Sequence, residues 1–437
     1  MMNRREALHG LSAGLAFAGI SSTGLVRSAD DAVLVGVVGC GRRGRVHARL
    51  LAGRKDARVS YVCDPDRTRA EQTALEVERI CGKKPVAVQD LRRILDDSTV
   101  DAVVIAAPDH WHAPATVLAC DAGRHVYVES PCSHNVREGR LMVEAARRHG
   151  RVVQTGTQAR NSNHICRAMQ LLREGAIGDV LVAKAWNSQR RLNIGQGRPA
   201  RPPVPLDYDL WLGPAPYEPY HANRLHGNWR WRFAWGTGVP GHHGAHQLDL
   251  ARWGLGVDEQ HPESVTARCA TLFSEDDHEF PDTRQLTLDY APAGRNGRRR
   301  QLIFESRISP LCGREGYENG NAFYGTKGFL LIGRNDSFKL YGERDRLMEE
   351  APADGTRTGN TLLHHADFLD CIRSGRRPQA DIEIGARSAA ACHLGNIASR
   401  LNRTLFFDGT TEQILGDSEA NELLTRSYRE GHWASLA

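Results

Sequence analysis

The stretch Val33-Leu34-Val35-Gly36-Val37-Val38, followed directly by Gly39-Cys40-Gly41-Arg42-Arg43-Gly44, decides the fold of this chain. An apolar run that ends in three glycines at this spacing predicts a strand, a tight turn and the start of a helix. The first glycine permits the turn, the second lets backbone approach a pyrophosphate, and the third lets the helix pack against the strand. The helix N-terminus then offers free N–H groups to the phosphates. The stretch therefore predicts a dinucleotide-binding unit.

A carboxylate stands where such a unit needs one, about 20 residues beyond the glycines. Asp64 closes the next apolar run, Val59 to Cys63. An acid here accepts hydrogen bonds from a ribose 2′-hydroxyl and repels a 2′-phosphate, so NAD is expected and NADP is less favoured. Arg67 and Arg69 lie close enough to soften that preference, but the simpler interpretation is that they are solvated helix charges.

Three further strand ends in the N-terminal third carry polar groups. Val100 to Ala107, His125 to Val128 and Arg151 to Thr155 are expected strands that alternate with helices such as Val136 to His149, which is typical of a parallel sheet covered on both faces. They end at Pro108-Asp109-His110-Trp111-His112, Glu129-Ser130-Pro131 and Gly156-Thr157-Gln158. Ligands in open α/β sheets bind outside the carboxyl ends of strands, so these groups are expected to border the site.

From about residue 160 the chain predicts an α+β domain with an antiparallel sheet. The expected elements are helices at Cys166 to Glu174, Leu362 to Arg373 and Gly385 to Leu401, strands at Val180 to Asn187, Ser264 to Phe273, Arg284 to Tyr290 and Gln301 to Ser306, and an irregular tail. The fold class is thus α/β, with a Rossmann domain at residues 30–158 and a second domain at residues 159–437.

The first 29 residues indicate an export signal. Arg4-Arg5 precede a weakly apolar stretch, Ala7 to Leu25, and Val26-Arg27-Ser28-Ala29 supplies small residues for cleavage. Twin arginine ahead of a mild apolar region is typical of Tat export, which predicts a periplasmic protein. An anchor helix is the alternative, but the stretch is glycine-broken and short of the roughly 20 residues that a membrane span needs. No stable membrane insertion is expected.

Composition is that of a globular protein, with 41% hydrophobic and 25% charged residues. The formal net charge is +5, of which Arg4, Arg5, Arg27 and Glu6 in the signal contribute +2. The remaining +3 is too small to indicate a nucleic-acid partner. Ten cysteines are scattered along the chain without a CxxC pair, so most are expected to be buried thiols.

The order of these motifs resembles the Gfo/Idh/MocA family of NAD(P)-dependent oxidoreductases over residues 33 to 437. The matching segments are Val37-Val38-Gly39-Cys40-Gly41-Arg42-Arg43-Gly44, Ala107-Pro108-Asp109-His110-Trp111-His112, Val128-Glu129-Ser130-Pro131-Cys132-Ser133-His134-Asn135, Gly156-Thr157-Gln158, Gly244-Ala245-His246-Gln247-Leu248-Asp249 and Asp367-Phe368-Leu369-Asp370-Cys371-Ile372-Arg373-Ser374-Gly375. The resemblance implies a Rossmann domain, a C-terminal domain with an open-faced, mostly antiparallel sheet that mediates a homodimer or homotetramer, and chemistry on hydroxyls of sugars, inositols or related polyols.

Two departures from the family pattern bear on the chemistry. The resemblance implies Glu-Lys-Pro with a catalytic lysine, but this chain has Glu129-Ser130-Pro131, and His242 stands where an acid usually precedes the catalytic histidine, His246. A serine hydroxyl can at most donate or relay a hydrogen bond. Proton transfer therefore falls to a histidine, which titrates near neutrality. Some NAD-dependent glycosidases that resemble this family also lack the lysine.

The histidines in this region admit three interpretations. His242, His243 and His246 lie in a glycine-rich turn that leads into a helix from Gln247 to Trp253. His246 is expected to be a general base or substrate hydrogen-bonding group; a structural histidine or a metal ligand are the alternatives. No carboxylate or cysteine is placed to complete a metal site, so no metal is expected. For Asp249, orienting His246 or capping is as plausible as direct chemistry.

Aromatic and basic residues alternate just before that turn. Trp229, Trp231 and Trp235 lie among Arg230 and Arg232. A half-buried strand or loop with one aromatic face is one interpretation. Sugar recognition is the other, because aromatic faces suit pyranose rings and arginine suits hydroxyls or carboxylates.

The expected site follows from the motifs and the resemblance together. The catalytic candidates are His246, His242 and Ser130, and the residues expected to bind the dinucleotide are Gly39, Gly41, Arg42, Arg43, Gly44, Asp64, Pro108, His110, His112, Glu129 and Gln158. The expected function is that of a periplasmic NAD-dependent oxidoreductase acting on a hydroxyl of a sugar, polyol or glycoside. The alternatives are a redox-neutral NAD-dependent glycosidase or lyase with a retained cofactor, and a noncatalytic dinucleotide- or sugar-binding protein.

Overall fold

A computed structural model describes residues 32–188, 193–293, 297–307, 317–333, 337–352 and 357–436. The expected export signal at residues 1–29 lies outside these described residues. Within them, no helix has the length and apolarity needed to cross a membrane. Nine cysteines fall in the described part; all are free and six are buried. The expectation that most cysteines are buried thiols is confirmed for this part of the chain.

The Val33–Val38 run forms the centre of a six-stranded parallel sheet with the order β3-β2-β1-β4-β5-β6. Its strands are β1 (Val33–Val38), β2 (Ala57–Cys63), β3 (Val86–Val88), β4 (Ala102–Ile105), β5 (His125–Glu129) and β6 (Val153–Gly156). The five predicted strands are confirmed within two residues at each end, and β3 was not predicted. Every residue of β1 and β4 is buried, as expected for strands covered on both faces.

Five helices connect these strands: α1 (Arg42–Ala52), α2 (Arg67–Cys81), α3 (Arg92–Leu95), α4 (Asp109–Asp121) and α5 (Val136–Arg148). Side chains cap two of them, because Asp66 accepts a hydrogen bond from the Thr68 N–H at 3.0 Å and Asn135 accepts one from the Glu138 N–H at 2.9 Å.

The glycines of the first turn have the geometry that the sequence predicts. Gly39 has φ of +89°, a conformation that favours glycine. A Cβ atom on Gly44 would lie 1.7 Å from the Gly39 carbonyl oxygen, so a side chain there is incompatible with the observed packing of α1 on β1. The first and third glycines therefore serve the turn and the helix packing.

The second sheet has ten strands in the order β14-β13-β12-β11-β7-β10-β9-β8-β15-β16. The strands are β7 (Val180–Ser188), β8 (Ser264–Ala270), β9 (Thr283–Ala293), β10 (Arg298–Arg307), β11 (Asn319–Gly325), β12 (Gly328–Ile332), β13 (Phe338–Tyr341), β14 (Leu347–Ala351), β15 (Leu405–Asp408) and β16 (Gln413–Ile414). All pairs are antiparallel except β7 with β10. The predicted fold class, a parallel sheet followed by a mostly antiparallel one, is confirmed.

The second half contributes the helices α6 (Asn163–Arg173), α7 (Tyr208–Leu212), α8 (Gly238–His242), α9 (Gly244–Leu255), α10 (Arg357–Ser374), α11 (Ile382–Leu401) and α12 (Ser418–Glu422). Of these, α6, α9, α11 and α12 share a core with the second sheet, whereas α10 places Phe368 and Leu369 in the core of the first sheet. Leu286, Leu288 and Tyr290 alternate along β9 and point into this core. The prediction of an irregular tail is wrong in part, because β15 joins the sheet beside β8 and α12 follows. Strands β11 to β14 were not predicted.

The two halves of the fold are interleaved along the chain. At the edge strand β6, the Thr155 N–H donates to the Ala380 carbonyl at 2.8 Å, and Gln154 Nε2 donates to the His364 carbonyl at 2.9 Å. Residues 32–437 accordingly form one compact unit. The expected boundary at residue 158 marks where the first sheet ends, but residues of α10 and the turn before α11 complete its edge.

Candidate active site

A cavity of about 1120 Å³ opens at the carboxyl ends of the parallel strands. Small-molecule pockets usually span roughly 300–1,000 Å³, so this cavity is large. Twelve expected site residues line it: Gly39, Gly41, Arg42, Arg43, Asp64, Pro108, His112, Glu129, Ser130, Gln158, His242 and His246. The structure therefore brings the dinucleotide turn and the histidine turn to one cavity.

The glycine turn leaves space where a pyrophosphate would lie. A Cβ atom on Gly41 would meet no atom closer than Arg69 Nη1, at 3.7 Å. The N-terminus of α1 begins at the next residue, and the side chains of Arg42 and Arg43 border the same space. Open backbone, helix N–H groups and two guanidinium groups fit a bound pyrophosphate.

Asp64 lies at the end of β2 and is held by backbone donors. Its Oδ2 accepts a hydrogen bond from the Cys40 N–H at 2.8 Å, and its Oδ1 accepts one from the Asp66 N–H at 2.9 Å. Burial raises the pKa of Asp64 to about 6 despite these two hydrogen bonds. The carboxylate is therefore tied to the glycine turn and faces the cavity, as the ribose-binding role requires.

We expect the affinity for NAD to fall as the pH is lowered through about 6, because ribose hydroxyls need the ionised Asp64 as acceptor and protonation competes with binding. The dissociation constant should rise by up to about tenfold per pH unit below pH 6. Calorimetric titration of the NAD-free protein between pH 5 and 8 measures this. In Asp64→Asn the profile should flatten, and the preference for NAD over NADP should narrow.

An unchanged pH profile in Asp64→Asn would contradict that assignment. The pH dependence of NAD binding would then be assigned to Asp109, since Asp109 lines the same cavity and burial raises its pKa to about 6 as well. Asp109 is buried at the start of α4, where it accepts a hydrogen bond from Thr237 Oγ1 at 2.6 Å. Asp109→Asn is the matched control.

Glu129 is held by three donors that converge on one oxygen. Arg43 Nε lies 2.8 Å, His47 Nε2 2.7 Å and Gln158 Nε2 3.1 Å from Glu129 Oε1. Burial alone would raise the pKa of Glu129, but the Arg43 guanidinium and the His47 contact outweigh it and hold that pKa well below its usual range. The side chain is thus a fixed carboxylate on the cavity wall. Sequence reasoning missed His47, which lies on the inward face of α1 without a motif of its own.

Ser130 and His246 meet on the wall of the same cavity. Ser130 follows β5 and His246 lies in the first turn of α9, and their Oγ and Nε2 atoms are 3.2 Å apart. This hydrogen bond joins the position of the missing lysine to the expected general base. A hydroxyl paired with an imidazole can relay a proton.

His242 opens onto the same cavity and is otherwise enclosed by protein. Burial, together with the positive charge of Arg230 and the neighbouring His243, holds the pKa of His242 well below its usual value. Its imidazole is therefore neutral, whereas the acid it replaces would carry a negative charge. Within the described residues, no three histidine, cysteine, aspartate or glutamate side chains are grouped closely enough to hold a metal ion.

Two polar residues of the motifs have partners away from the cavity. His110 does not line the cavity; it is buried behind the wall, its Nε2 lies 3.1 Å from the Trp211 carbonyl, and burial lowers its pKa to about 3. Of the roles left open for Asp249, orienting His246 is not observed: its carboxylate pairs with Arg160 and accepts a hydrogen bond from Ser388. His112 does line the cavity, and its ring nitrogens contact the carbonyls of Pro131 and Ala107.

The tryptophans divide between the cavity and the core. Residues Asn228–Trp231 form a 3-10 turn, not a strand, and Trp229 lines the cavity with its ring 5.5 Å from that of His242. Trp235 is buried against Trp211, and the Trp231 ring lies 4.4 Å from that of His278.

The second sheet contributes part of the wall that the sequence did not indicate. Asn187 on β7 and Asn319 and Asn321 on β11 line the cavity, and Asn321 Nδ2 donates to the Gln247 carbonyl at 2.7 Å. These amides add donors and acceptors opposite Ser130 and His246, which suits a ligand with several hydroxyl groups.

A Rossmann sheet whose strand ends carry the glycine turn and Asp64, and which opens onto a cavity shared with a second sheet, defines an NAD-binding oxidoreductase fold. The chain belongs to the Gfo/Idh/MocA family. Residues 33–157 match the oxidoreductase family with an NAD-binding Rossmann fold, and residues 184–295 and 356–434 match its C-terminal alpha/beta domain. NAD is the cofactor of this domain, as predicted.

The names of several curated relatives mention inositol or glycosyl hydrolysis. The chain is 32% identical to inositol 2-dehydrogenase 2 of Saccharopolyspora erythraea over 58% of this chain and 62% of that protein. It is 24% identical to the scyllo-inositol 2-dehydrogenase (NAD(+)) of Bacillus subtilis over 80% of this chain and 89% of that one. It is 26% identical to a glycosyl hydrolase family 109 protein of Shewanella putrefaciens over 38% of this chain and 37% of that protein. The chain thus spans less than two thirds of the first and third of these relatives.

Solved structures share the fold. A levoglucosan dehydrogenase in complex with NADH and levoglucosan has a TM-score of 0.65 and 19% identity, over 86% of this chain and 99% of that one. The aldose-aldose oxidoreductase from Caulobacter crescentus has a TM-score of 0.65 and 20% identity, over 86% of this chain and 100% of that one. At these identities the likeness establishes the fold.

Proposed function

We propose that this protein is an NAD-dependent oxidoreductase that acts on a hydroxyl of a sugar, polyol or glycoside and holds its cofactor tightly through turnover. The observation that carries the proposal is the Ser130–His246 contact of 3.2 Å in the cavity that also contains the dinucleotide turn. The similarity to named inositol dehydrogenases supports the substrate class.

His246 removes the proton from the substrate hydroxyl, either directly or through Ser130 Oγ. NAD, when bound, supplies the hydride acceptor. Asn187, Asn319 and Asn321 hold the other hydroxyls of the substrate, and Trp229 offers an aromatic face to its ring. Glu129, Arg43 and Gln158 fix the wall on the dinucleotide side.

A neutral His242 lowers the stability of protonated His246, the proposed general base. The acid usually found at this position would stabilise an imidazolium at His246, whereas a neutral imidazole beside Arg230 does not. The proton taken up by His246 is therefore released readily, to solvent or back to the substrate. This arrangement suits an enzyme that returns the proton within one turnover.

A redox-neutral glycoside hydrolase or lyase is the second candidate. In this reaction a hydroxyl is oxidised transiently, the aglycone is eliminated, and the hydride returns to the sugar. Ser130 in place of the lysine and the partial similarity to glycosyl hydrolase family 109 proteins favour it. A noncatalytic dinucleotide- or sugar-binding protein is the third.

One experiment separates these functions. The protein is purified without added nucleotide, the bound nucleotide is released and identified, and the protein is incubated with a panel of sugars, polyols and glycosides. Net NADH formation identifies the dehydrogenase, and aglycone release without net NADH identifies the glycosidase. If neither NADH nor free aglycone forms, the proposed enzymatic function is overturned. The noncatalytic binding protein then remains as the function.

We propose that the protein is exported by the Tat system to the periplasm and forms a homodimer or homotetramer through the open face of the second sheet. Replacing Arg4 and Arg5 with lysine should leave the precursor in the cytoplasm, because the arginine pair is read by the export receptor. Fractionation of cells that express the two forms measures this. Equal periplasmic accumulation of both would contradict Tat export.

A further inference from the structure

Trp433 borders the cofactor cavity from a segment far from the Rossmann motifs. It lies in residues 425–436, which follow α12 and which we call the closing segment. The Trp433 side chain lines the cavity together with Asp64 and Leu91. No motif assigns a role to this residue, and its position bears on the proposal above that the cofactor is held tightly.

The direction of a bound dinucleotide follows from two fixed points. A bound pyrophosphate would lie at Gly41, where the backbone is open, and the adenosine ribose would lie at Asp64. The adenine base must continue past Asp64, toward the end of β3, the strand beside β2 at the edge of the sheet. Leu91 and Trp433 form the cavity wall on this side. Trp433 is therefore placed beside the adenine and not beside the nicotinamide.

The Trp433 ring is held from two sides. The Arg92 guanidinium carbon lies 4.4 Å from its centroid, and the Trp111 ring lies 5.8 Å away at an interplanar angle of 43°. An aromatic ring fixed in this way loses little conformational entropy when a base packs against it.

The closing segment is anchored to helices of the Rossmann domain. Arg426 Nε donates to Glu138 Oε1 at 2.7 Å, and Arg426 Nη2 donates to the His110 carbonyl at 2.7 Å. Tyr428 Oη donates to the same Glu138 oxygen at 2.8 Å. Glu138 is fully buried, so this contact between α5 and the closing segment is shielded from solvent. Arg429 adds an ion pair with Asp209 on α7 at 2.6 Å.

We infer that Trp433 is an adenine-binding residue and that the closing segment retains NAD by covering its adenosine half. The inference rests on the proposed tight retention of the cofactor. Base–aromatic stacking is worth about 1–3 kcal/mol by alanine substitution, which corresponds to roughly 5- to 150-fold in a dissociation constant.

The test compares Trp433→Ala, Trp433→Phe and Leu436→Ala, with AMP, NMN and NAD as probes on nucleotide-free protein. Leu436 is the control, because it belongs to the same segment but lines a separate hollow beside α4 and α5. In Trp433→Ala the dissociation constants of NAD and AMP should rise by about 5- to 150-fold while that of NMN stays unchanged. Trp433→Phe and Leu436→Ala should bind all three as the wild type does.

Thermal unfolding without nucleotide reports whether each variant folds. If the Trp433→Ala variant is unfolded, Trp433→Leu takes its place in the binding measurements, because leucine removes the aromatic ring but retains apolar bulk. AMP binding by a folded Trp433→Ala or Trp433→Leu variant at wild-type affinity would overturn the inference. These binding measurements need no substrate, so they stand apart from the activity panel: an inactive protein that loses AMP affinity in Trp433→Ala would refute the proposed reaction and support the adenine site.

Discussion

Replacement of His246 by alanine should lower the turnover number by about 10² to 10⁴-fold, the usual effect of removing a general base. The reason is the position of His246 Nε2, 3.2 Å from Ser130 Oγ in the cavity, where it can take the substrate proton. Stopped-flow measurement of the reduction of bound NAD by a substrate found in the panel gives the rate directly. This readout detects a transient oxidation as well as a net one.

The NAD content of His246→Ala should equal that of the wild type, because the residues expected to bind the dinucleotide, the glycine turn and Asp64, are unchanged in this variant. His149→Ala, at the C-terminal end of α5, is a control that should leave the rate unchanged. Reduction at an unchanged rate in His246→Ala would contradict the assignment. His243, which also lines the cavity, would then be the next candidate.

Replacement of Asp249 by alanine should lower the free energy of unfolding by about 3–5 kcal/mol, as expected when one partner of a buried ion pair is removed. Asp249 accepts hydrogen bonds from Arg160 Nε at 2.7 Å and Nη2 at 2.8 Å, and both side chains are at most 2% exposed. Ser388 Oγ donates to the same carboxylate at 2.8 Å. Urea denaturation of the nucleotide-free protein measures the loss.

Asp258→Ala is the matched control for that variant. Asp258 also pairs with Arg160, at 2.9 Å, but its side chain is 23% exposed, so its removal should cost less. If Asp249 oriented His246, as one interpretation of the sequence had it, the variant would keep its stability and lose turnover. That outcome would contradict the structural role.

Most elements of the Rossmann sheet could be predicted because they depend on patterns within a short stretch of sequence. The glycine turn and Asp64 could be located because strand, turn, helix and carboxylate follow one another within about 30 residues, and the physics of each step is local. The family resemblance indicated Ser130 and His246 as residues of one site, but it did not predict the hydrogen bond that joins them across 116 positions.

Long-range contacts explain the pairings that the sequence did not indicate. Asp249 finds Arg160 across 89 positions and His110 finds the Trp211 carbonyl across 101, and neither partner carries a motif. Strands β11 and β12 were not predicted because each contains glycine, which normally signals a turn. Here glycine allows close packing, since a Cβ atom on Gly328 would lie 2.1 Å from the Tyr341 carbonyl oxygen on the neighbouring strand.

The position of the edge strand β6 affects when the protein can fold during its synthesis on the ribosome. The His364 carbonyl that satisfies Gln154 belongs to a residue synthesised 210 positions later. At about 5–20 residues per second, that partner is made roughly 10 to 40 s after β6. The nucleotide-binding half therefore cannot complete the hydrogen bonding of this edge strand until His364 has been synthesised. Export by a system that accepts only folded proteins would consequently also select chains whose synthesis is complete.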